Sequence, residues 1–263
     1  MLSRYLLRFG ALGYLALLLL IPLGMVFYRA FEHGFAPAWD AITSPEAVHA
    51  LWLTVLVALI AVPLNTVFGV VCALLIVRGH IRGKGILNAL VDLPLALSPV
   101  VVGLALLLLY GRTGWLGPWL DDHGVQVVFA LPGLVLATIF VSLPFVVREV
   151  VPVLREIGTE QEQAASTLGA SALQIFRRVT LPAIRWGVVY GVVLTTARCL
   201  GEFGAVSVIS GHIAGKTETL TQYVQAQYDG FNVPGAYAAS VVLALLSVVT
   251  LVAMTAFRRK EEI

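Results

Sequence analysis

The residues between Ser210 and Thr217 come closest to a known chemical motif, a phosphate-binding loop. Their sequence, SGHIAGKT, contains the second glycine, the lysine and the threonine of that motif, but Ser210 occupies the position of its first glycine. A phosphate-binding loop follows a buried strand, and no soluble strand precedes this segment. The sequence therefore predicts no nucleotide-binding site on this chain.

Metal ligands and nucleophiles are also sparse. The histidines are scattered without the spacing that a zinc site needs; they are His33, His49, His80, His123 and His212. Cys72 and Cys199 lie far apart in apolar runs, where a buried and unreactive thiol is expected. The sequence argues against an enzyme, and we expect no catalytic residue, metal site or cofactor on this chain.

Two charges within an apolar run are the remaining candidates for chemistry. Arg198 and Glu202 share one helix face with Thr195 and with Gly187 and Gly191, whose spacing permits close helix packing. A charge at the bilayer centre costs at least ~2.5–3.5 kcal/mol and normally faces the bundle interior. Either the two charges form a structural ion pair, or Arg198 lines the path of an anion. The ion pair is favoured, because Glu202 would cancel the field that an anion needs.

The composition identifies the elements that carry these residues. Hydrophobic residues make up 59% of the chain and charged residues 12%, against about 25% charged in soluble proteins. Repeated apolar runs of ~20 residues predict an all-α polytopic membrane protein. The net charge of +2 gives no reason to expect nucleic-acid binding. We predict one transmembrane domain over residues 1–263, with six spans at about 11–29, 50–77, 86–110, 127–153, 183–208 and 237–257.

Three further features concern the ends of the spans. The apolar run from Ala11 to Tyr28 is longer than the core of a signal peptide (about 7–15 residues), so we expect a retained first span. Asp92, and Arg148 with Glu149, lie close enough to span boundaries to pair or to reach water, and we treat them as structural.

The basic residues predict the orientation of the spans. Twelve lie in segments on one side: Arg4, Arg8, Arg78, Arg82, Lys84, Arg155, Arg177, Arg178, Arg185, Arg258, Arg259 and Lys260. The other side has only three: Arg29, Arg112 and Lys216. Because cytoplasmic loops are enriched in lysine and arginine, we expect both termini and residues 159–182 in the cytoplasm.

Residues 159–182 form the longest segment away from the termini that suits an aqueous environment. Thr159 and Glu162 have the spacing of a capping box. Apolar residues then recur at steps of three or four, which predicts an amphipathic helix; they are Ala164, Ala165, Leu168, Ala172, Ile175, Phe176 and Val179. Gly169 predicts a bend or a close backbone contact within this pattern, and Pro182 suits the first turn of a following helix.

This segment resembles the cytoplasmic "EAA" signature of ABC-importer permeases, E-A-A-x3-G-x9-I-x-L-P. In this chain Gln163 replaces the glutamate and Val179 replaces the isoleucine. In that family the segment forms short helices along the membrane that dock into a groove of the ATPase subunit. The resemblance implies an ATPase-coupling role for the matching positions and for one intervening leucine: Gln163, Ala164, Ala165, Leu168, Gly169, Val179, Leu181 and Pro182.

Three other stretches narrow the family. Residues 92–103, 145–154 and 195–211 resemble the sulfate/thiosulfate ABC-importer permeases, in particular their W-type subunit, and the similarity extends from about residue 10 to residue 257. It implies the type I importer permease fold, with six transmembrane helices and cytoplasmic coupling helices. The Arg198-x3-Glu202-Phe203-Gly204-Ala205 sequence is also shared, more loosely, with molybdate and tungstate permeases.

The resemblance implies a multi-subunit importer in the bacterial cytoplasmic membrane. Its other parts are a homologous T-type permease, an ATPase dimer that binds ATP and Mg²⁺, and an extracytoplasmic sulfate-binding protein, while this chain carries no cofactor. Transport would proceed by alternating access. Two alternatives remain: a molybdate or tungstate permease of the same class, and a stand-alone secondary anion transporter. Internal inverted repeats are common in secondary transporters, and the sequence shows no clear repeat.

Overall fold

The computed structural model describes residues 2–80 and 82–259, so Lys260, used above for orientation, lies outside the described residues. The helices are α1 (Leu2–Phe31), α2 (Phe35–Thr43), α3 (Pro45–Val77), α4 (Lys84–Ala96), α5 (Pro99–Tyr110), α6 (Gly117–Asp122), α7 (Leu131–Glu156), α8 (Glu160–Thr167), α9 (Ala172–Ile175), α10 (Leu181–Leu200), α11 (Gly204–Ile209), α12 (Leu220–Asp229) and α13 (Val233–Arg259). A π-helical turn, Phe176–Thr180, joins α9 to α10.

The third span, predicted at residues 86–110, is divided into two helices. They are α4 and α5, and their axes are bent by 109°. Leu97 and Ser98 between them have extended backbone angles. Pro99 accounts for the break, because a proline disfavours helical angles in the residue before it and cannot donate a backbone hydrogen bond. By contrast, α3 and α7 continue through Pro63 and Pro144.

Two hydrogen-bonded contacts mark opposite faces of the helix bundle. Beyond the end of α3, Arg78 donates from Nε to Glu162 of α8 at 3.0 Å. Near the start of α3, the hydroxyl of Thr54 accepts from the Leu220 amide at 2.8 Å. Thr54 and Arg78 are 24 residues apart (78 − 54), so these contacts lie about 36 Å apart along the axis of α3, at 1.5 Å per residue. We call the two sides the Arg78 face and the Leu220 face.

The bent pair α4–α5 crosses between these faces. The helix α3 ends at the Arg78 face, whereas α7 begins at the Leu220 face, because the Phe129 amide just before α7 donates to the Ile209 carbonyl at 2.9 Å. The next residue, Ser210, accepts from Gln222 of α12 at 2.6 Å. The pair is therefore a broken span, which together with the five long apolar helices makes the predicted six.

The fifth span also differs from its predicted range of 183–208. It begins earlier, as a helical run from Ala172 to Leu200, and it is interrupted before α11. The carboxylate of Glu202 lies in this interruption and accepts from the Ala205 amide at 2.8 Å, which satisfies one of the free N–H groups at the start of α11. The break thus has a polar residue of its own to stabilise it.

The two broken spans pack against each other through glycines. A Cβ atom added to Gly204 would lie 2.9 Å from the Cβ of Pro99, and one added to Gly103 would lie 2.6 Å from the Ala205 carbonyl oxygen. Only a residue without a side chain fits at such distances. The breaks of the third and fifth spans are therefore neighbours within the bundle.

The centre of the bundle is formed by α3, α7 and α10. Their contact is closest at Val146, whose atoms lie 2.6–2.7 Å from the positions of Cβ atoms added to Gly69 of α3 and Gly191 of α10. An added Cβ at Gly187 would lie 3.0 Å from the Glu149 carbonyl oxygen. The predicted close approach at the glycine pair is confirmed, and Cys72 and Cys199 are buried free thiols as expected.

Candidate functional site

The predicted amphipathic segment folds as two short helices joined by a tight bend. The first, α8, ends at Thr167, and the Gly169 and Ala170 amides donate back to Ser166 and Ala165. Gly169 has a φ of +83°, a left-handed conformation that glycine adopts without strain. No atom lies within 4 Å of an added Cβ there, so the backbone angle and not close packing requires this glycine. The predicted bend is confirmed.

The predicted capping box at Thr159 and Glu162 is wrong. The Thr159 hydroxyl instead accepts from the Gln163 side chain at 2.9 Å, because Glu162 points away to Arg78 and to Thr180. A capping box does form at the second helix. There the Ser171 amide donates to the Gln174 side chain at 2.8 Å, and the Gln174 amide donates to the Ser171 hydroxyl at 3.4 Å.

The second short helix continues directly into the fifth span. The π-helical turn Phe176–Thr180 ends two residues before Pro182. Proline has no N–H, so Pro182 cannot donate a backbone hydrogen bond to the preceding turn. The Leu181 amide donates to the Phe176 carbonyl, five residues back, which maintains the helix through this point. Pro182 lies in the first turn of α10 as predicted, and α9 and α10 form one helical run.

Two leucines and a groove lie on the exposed surface of this segment. Leu168 is 88% exposed and Leu173 is 65% exposed, which is unusual for leucines at helical turns outside a span. A shallow groove of about 290 Å³ lies beside them, lined by Ala165, Leu168, Gly169, Ala170, Gln174, Ile175, Arg178 and Val179. The predicted apolar stripe is therefore divided: Ile175, Phe176 and Val179 are half-buried, whereas Leu168 remains uncovered.

The structure brings only some of the predicted coupling residues together. Ala165, Leu168, Gly169 and Val179 line the groove. The other four are exposed but do not line it: Gln163, Ala164, Leu181 and Pro182. The segment as a whole thus presents a continuous exposed surface on the Arg78 face.

One ion pair fastens this segment to the rest of the bundle, and the sequence analysis did not detect it. Arg78 donates to Glu162 at 3.0 Å and also to the Gly158 carbonyl, and Glu162 in turn accepts from the Thr180 hydroxyl at 2.7 Å. Each charged side chain is 19% exposed. The pairing joins residues 84 positions apart in sequence, so no local pattern could have predicted it.

Within the spans, the charged residues form ion pairs. Arg198 pairs with Glu202 one helical turn away, and the Glu202 side chain is almost fully buried. Arg148 of α7 donates from Nε to Asp92 of α4 at 2.6 Å, which joins the first half of the broken third span to α7. The ion pairing that the sequence analysis favoured for Arg198 is thus present. Thr195, on the same face, is fully buried.

A buried polar cluster that no sequence motif indicated lies where α3, α7 and α10 meet. The Asn65 side-chain amide donates to Ser142 at 2.8 Å and to the Ile139 carbonyl at 3.0 Å. The Cys199 thiol donates to the same serine hydroxyl at 3.4 Å. An asparagine in the middle of an apolar span is the signal that could have revealed this cluster.

The incomplete phosphate-binding loop is part of the packed Leu220 face. The Thr217 hydroxyl donates to the Ser210 carbonyl at 2.6 Å, and Gln222 donates to the Ser210 hydroxyl at 2.6 Å. The adjacent Glu218 is buried, and this burial raises the pKa of its carboxyl above 4.5; Glu46 raises it further, while His212 opposes the shift. These groups hold the loop together.

Comparisons with known proteins agree with these features. Residues 65–262 match the family described as "Binding-protein-dependent transport system inner membrane component". The chain is 54% identical to the sulfate transport system permease protein CysW of Synechocystis sp. over 95% of this chain and 90% of the relative. It is 42% identical to the sulfate transport system permease protein CysT of Salmonella typhimurium, over 89% and 85% of the two chains.

Among solved structures, the fold is similar to a chain of a bacterial alginate ABC transporter in complex with an alginate pentasaccharide-bound periplasmic protein. The TM-score is 0.79 at 18% identity, and the match covers 98% of this chain and 94% of the other. At this identity the likeness shows the fold alone. The chain has the type I ABC-importer permease fold that the sequence predicts.

Proposed function

The chain belongs to the family of binding-protein-dependent transport system inner membrane components, and from this premise we propose that it is a transmembrane permease subunit of an ATP-driven importer of sulfate and thiosulfate. The observation that carries the proposal is the bent, exposed segment 158–182, which runs without interruption into the fifth span. The substrate class follows from the relatives, two of which are named as sulfate permease proteins.

The whole chain acts as one permease domain and has no catalytic role. A separate ATPase dimer binds ATP and Mg²⁺ and docks on the groove beside Leu168 and Gly169. When the ATPase closes, the docked segment moves, and α10 carries this motion into the bundle because it is continuous with α9. A homologous T-type permease completes the pathway, and an extracytoplasmic sulfate-binding protein delivers the anion.

We further propose that the Arg78 face lies in the cytoplasm of the bacterial cell, with both termini on that side. The excess of basic residues in the segments around 78–84 and 177–185 supports this orientation. The exposed apolar groove lies on the same face and fits a docking surface for a cytoplasmic ATPase.

In this proposal the charges within the spans are structural. Because Glu202 neutralises Arg198 and also stabilises the start of α11, the pair contributes no net positive field to an anion path. The selectivity for sulfate then rests mainly with the binding protein. Thr195 belongs to the packed interior and not to a binding site.

The test is sulfate uptake into proteoliposomes that contain this chain, its partner permease and the ATPase. The binding protein, loaded with sulfate, is added to the assay. We expect uptake of radiolabelled sulfate only when ATP, the ATPase and the binding protein are all present. Uptake that survives removal of the ATPase would favour a secondary transporter. If molybdate competes with sulfate for uptake and thiosulfate does not, the substrate is assigned as molybdate.

The same assay tests the docking segment. We expect Gly169→Asp to leave insertion and ATP hydrolysis intact but to lower sulfate imported per ATP by about 5–150-fold, the usual range for loss of coupling between sites. A side chain at this bend strains a φ of +83° and projects into the docking groove. Gly34→Asp is the matched control, since Gly34 has a φ of +97° and an open Cβ position away from the groove. Normal coupling in the Gly169 variant would contradict the docking role.

A further inference from the structure

Both ends of the docking segment are tied to the end of α3 by one set of contacts. Arg78, one residue beyond α3, donates to the Gly158 carbonyl at the start of the segment and to Glu162 at 3.0 Å within it. Glu162 accepts from Thr180 at the end of the segment, at 2.7 Å. We call the four residues Arg78, Gly158, Glu162 and Thr180 the Arg78 brace.

The chemistry of the brace depends on the shape of its two charged groups. A guanidinium presents several N–H donors in a fixed plane, so Arg78 can hold a carbonyl and a carboxylate at the same time. A carboxylate has two oxygens, and Glu162 uses Oε2 for Arg78 and Oε1 for Thr180. Charged side chains that are 19% exposed are only partly screened by water, so the pair is stronger than a surface ion pair.

The brace connects the docking segment to a different part of the bundle from the one that α10 reaches. Continuity of α9 with α10 links the segment to the fifth span, and at its other end Gly158 follows α7 by two residues. Arg78 adds the second span, since α3 runs from the brace through Gly69 and Asn65, both of which contact α7. With the brace intact, displacement of the segment moves α3 and α10 together.

The backbone around the brace favours a fixed geometry. Gly158 follows α7 by two residues and has a φ of +62°, which turns the chain sharply so that its carbonyl meets Arg78. Thr180 is 4% exposed, and its hydroxyl reaches the carboxylate from the last residue of the π-helical turn. Side chains next to both ends, Ile157 and Phe176, pack on the bundle core below.

We propose that Arg78 and Glu162 are positioning residues for energy coupling: they transmit movement of the docking segment to the second span. This inference rests on the proposed function, and it assigns a role to a charge that lies next to Gln163, the position where the family signature has glutamate. The residues act through the docking segment and touch neither ATP nor the transported anion.

The experiment measures sulfate import and ATP hydrolysis in the same proteoliposomes. We expect Arg78→Glu and Glu162→Arg each to assemble with the ATPase but to lower sulfate imported per ATP by about 5–150-fold. The exchange variant, Arg78→Glu combined with Glu162→Arg, should recover part of this ratio, because it restores opposite charges but not the bonds to the Gly158 carbonyl and the Thr180 hydroxyl. Thr180→Val, which removes one link only, should give an intermediate loss.

The matched control is the exposed ion pair between Arg29 and Glu32, at 2.8 Å on the other face. Glu32→Gln should leave the import-to-hydrolysis ratio unchanged. A pair that only stabilises the fold would lower the amount of assembled complex or its melting temperature and leave the ratio as in the wild type. An unchanged ratio of sulfate import to ATP hydrolysis in both single variants therefore overturns the proposal. An exchange variant whose ratio is no higher than that of the single variants also overturns it.

Amide hydrogen exchange is a second readout, and it does not depend on the transported anion. It therefore tests the brace independently of the proposed substrate. Amide hydrogen exchange of residues 158–182 should be faster in Arg78→Glu than in the wild-type complex and should return towards wild-type rates in the exchange variant. If the wild type imports no sulfate, the substrate proposal fails while this measurement still tests the brace. Equal exchange rates in the single variants and the wild type would contradict the brace itself.

Discussion

Glu218 shows how a single buried carboxyl makes the Leu220 face sensitive to pH. Burial raises its pKa above 4.5, so the folded protein holds this proton more tightly than the unfolded chain does. The protonated form therefore favours folding, and that contribution is lost as the pH rises through the folded-state pKa. We expect Glu218→Gln to raise the melting temperature at about pH 7 and to have little effect at or below about pH 4.5.

The control for this prediction is Asp229→Asn. Asp229 is exposed at the end of α12, where its two oxygens accept from Gln225 at 2.9 and 3.0 Å. Thermal unfolding of the purified protein across this pH range measures both variants. A lower melting temperature for Glu218→Gln at neutral pH would show that the ionised carboxylate has a favourable partner.

Variants of Arg198 and Glu202 distinguish a structural role of this ion pair from a role of Arg198 in the anion path. Arg198→Met should destabilise the protein by about 3–5 kcal/mol, because it leaves a buried carboxylate without its partner. Adding Glu202→Gln should restore most of this stability, since a glutamine oxygen can still accept from the Ala205 amide. For a structural pair, the double variant imports sulfate with an unchanged KM. A folded double variant with a raised KM would place Arg198 in the pathway.

At the scale of helices, the packing of α10 on α7 depends on the absence of side chains at two positions. A methyl group at Gly191 would lie 2.7 Å from the Cα of Val146, which requires the two helices to separate. We expect Gly191→Ala to cost about 1–3 kcal/mol, the usual range for overpacking. Gly24→Ala in α1 is the control, because no atom lies within 4 Å of its added Cβ. Thermal stability in detergent or nanodiscs compares the two, and equal melting temperatures would contradict the close contact.

The elements also show what could be predicted from sequence. Hydropathy located the six spans, and glycine and proline spacing located the bend at Gly169 and the helix start at Pro182, because these are local properties of the backbone. The exact positions of the break at Pro99 and the interruption at Glu202 could not be located from sequence, since proline is tolerated in other spans of the same chain, such as α3. Whether a helix continues there depends on its neighbours.

The candidate site was likewise predictable where it depends on local sequence, and not where it depends on distant partners. The groove residues Ala165 and Gly169 match the recognised signature, and Leu168 lies between them in the sequence. The partners of Glu162 are 84 and 18 positions away, so the pattern favoured a local cap where the fold forms a tertiary ion pair. Sequence spacing identifies which residues can form a helix cap, but the folded arrangement decides which of two competing partners a carboxylate takes.

At the scale of the whole molecule, the spans connect two faces to which the proposed mechanism gives different functions. The docking groove and the Arg78 brace lie on one face, and α3 and α10 run from them to the loops and α12 of the Leu220 face. The broken spans α4–α5 and α10–α11 meet between the faces through Gly103 and Gly204. A movement that enters at the brace can therefore reach the loops of the Leu220 face through continuous helices.

This arrangement predicts which residues are accessible from each side of the membrane. Single cysteines at exposed positions, His80→Cys on the Arg78 face and Gln225→Cys on the Leu220 face, can be treated with a membrane-impermeant thiol reagent in intact cells. The native cysteines Cys72 and Cys199 are buried, so background labelling is low. We expect the cysteine at 225 to react in intact spheroplasts and the cysteine at 80 to react only after permeabilisation. The reverse pattern would place the docking groove outside the cell, where no ATPase could act on it.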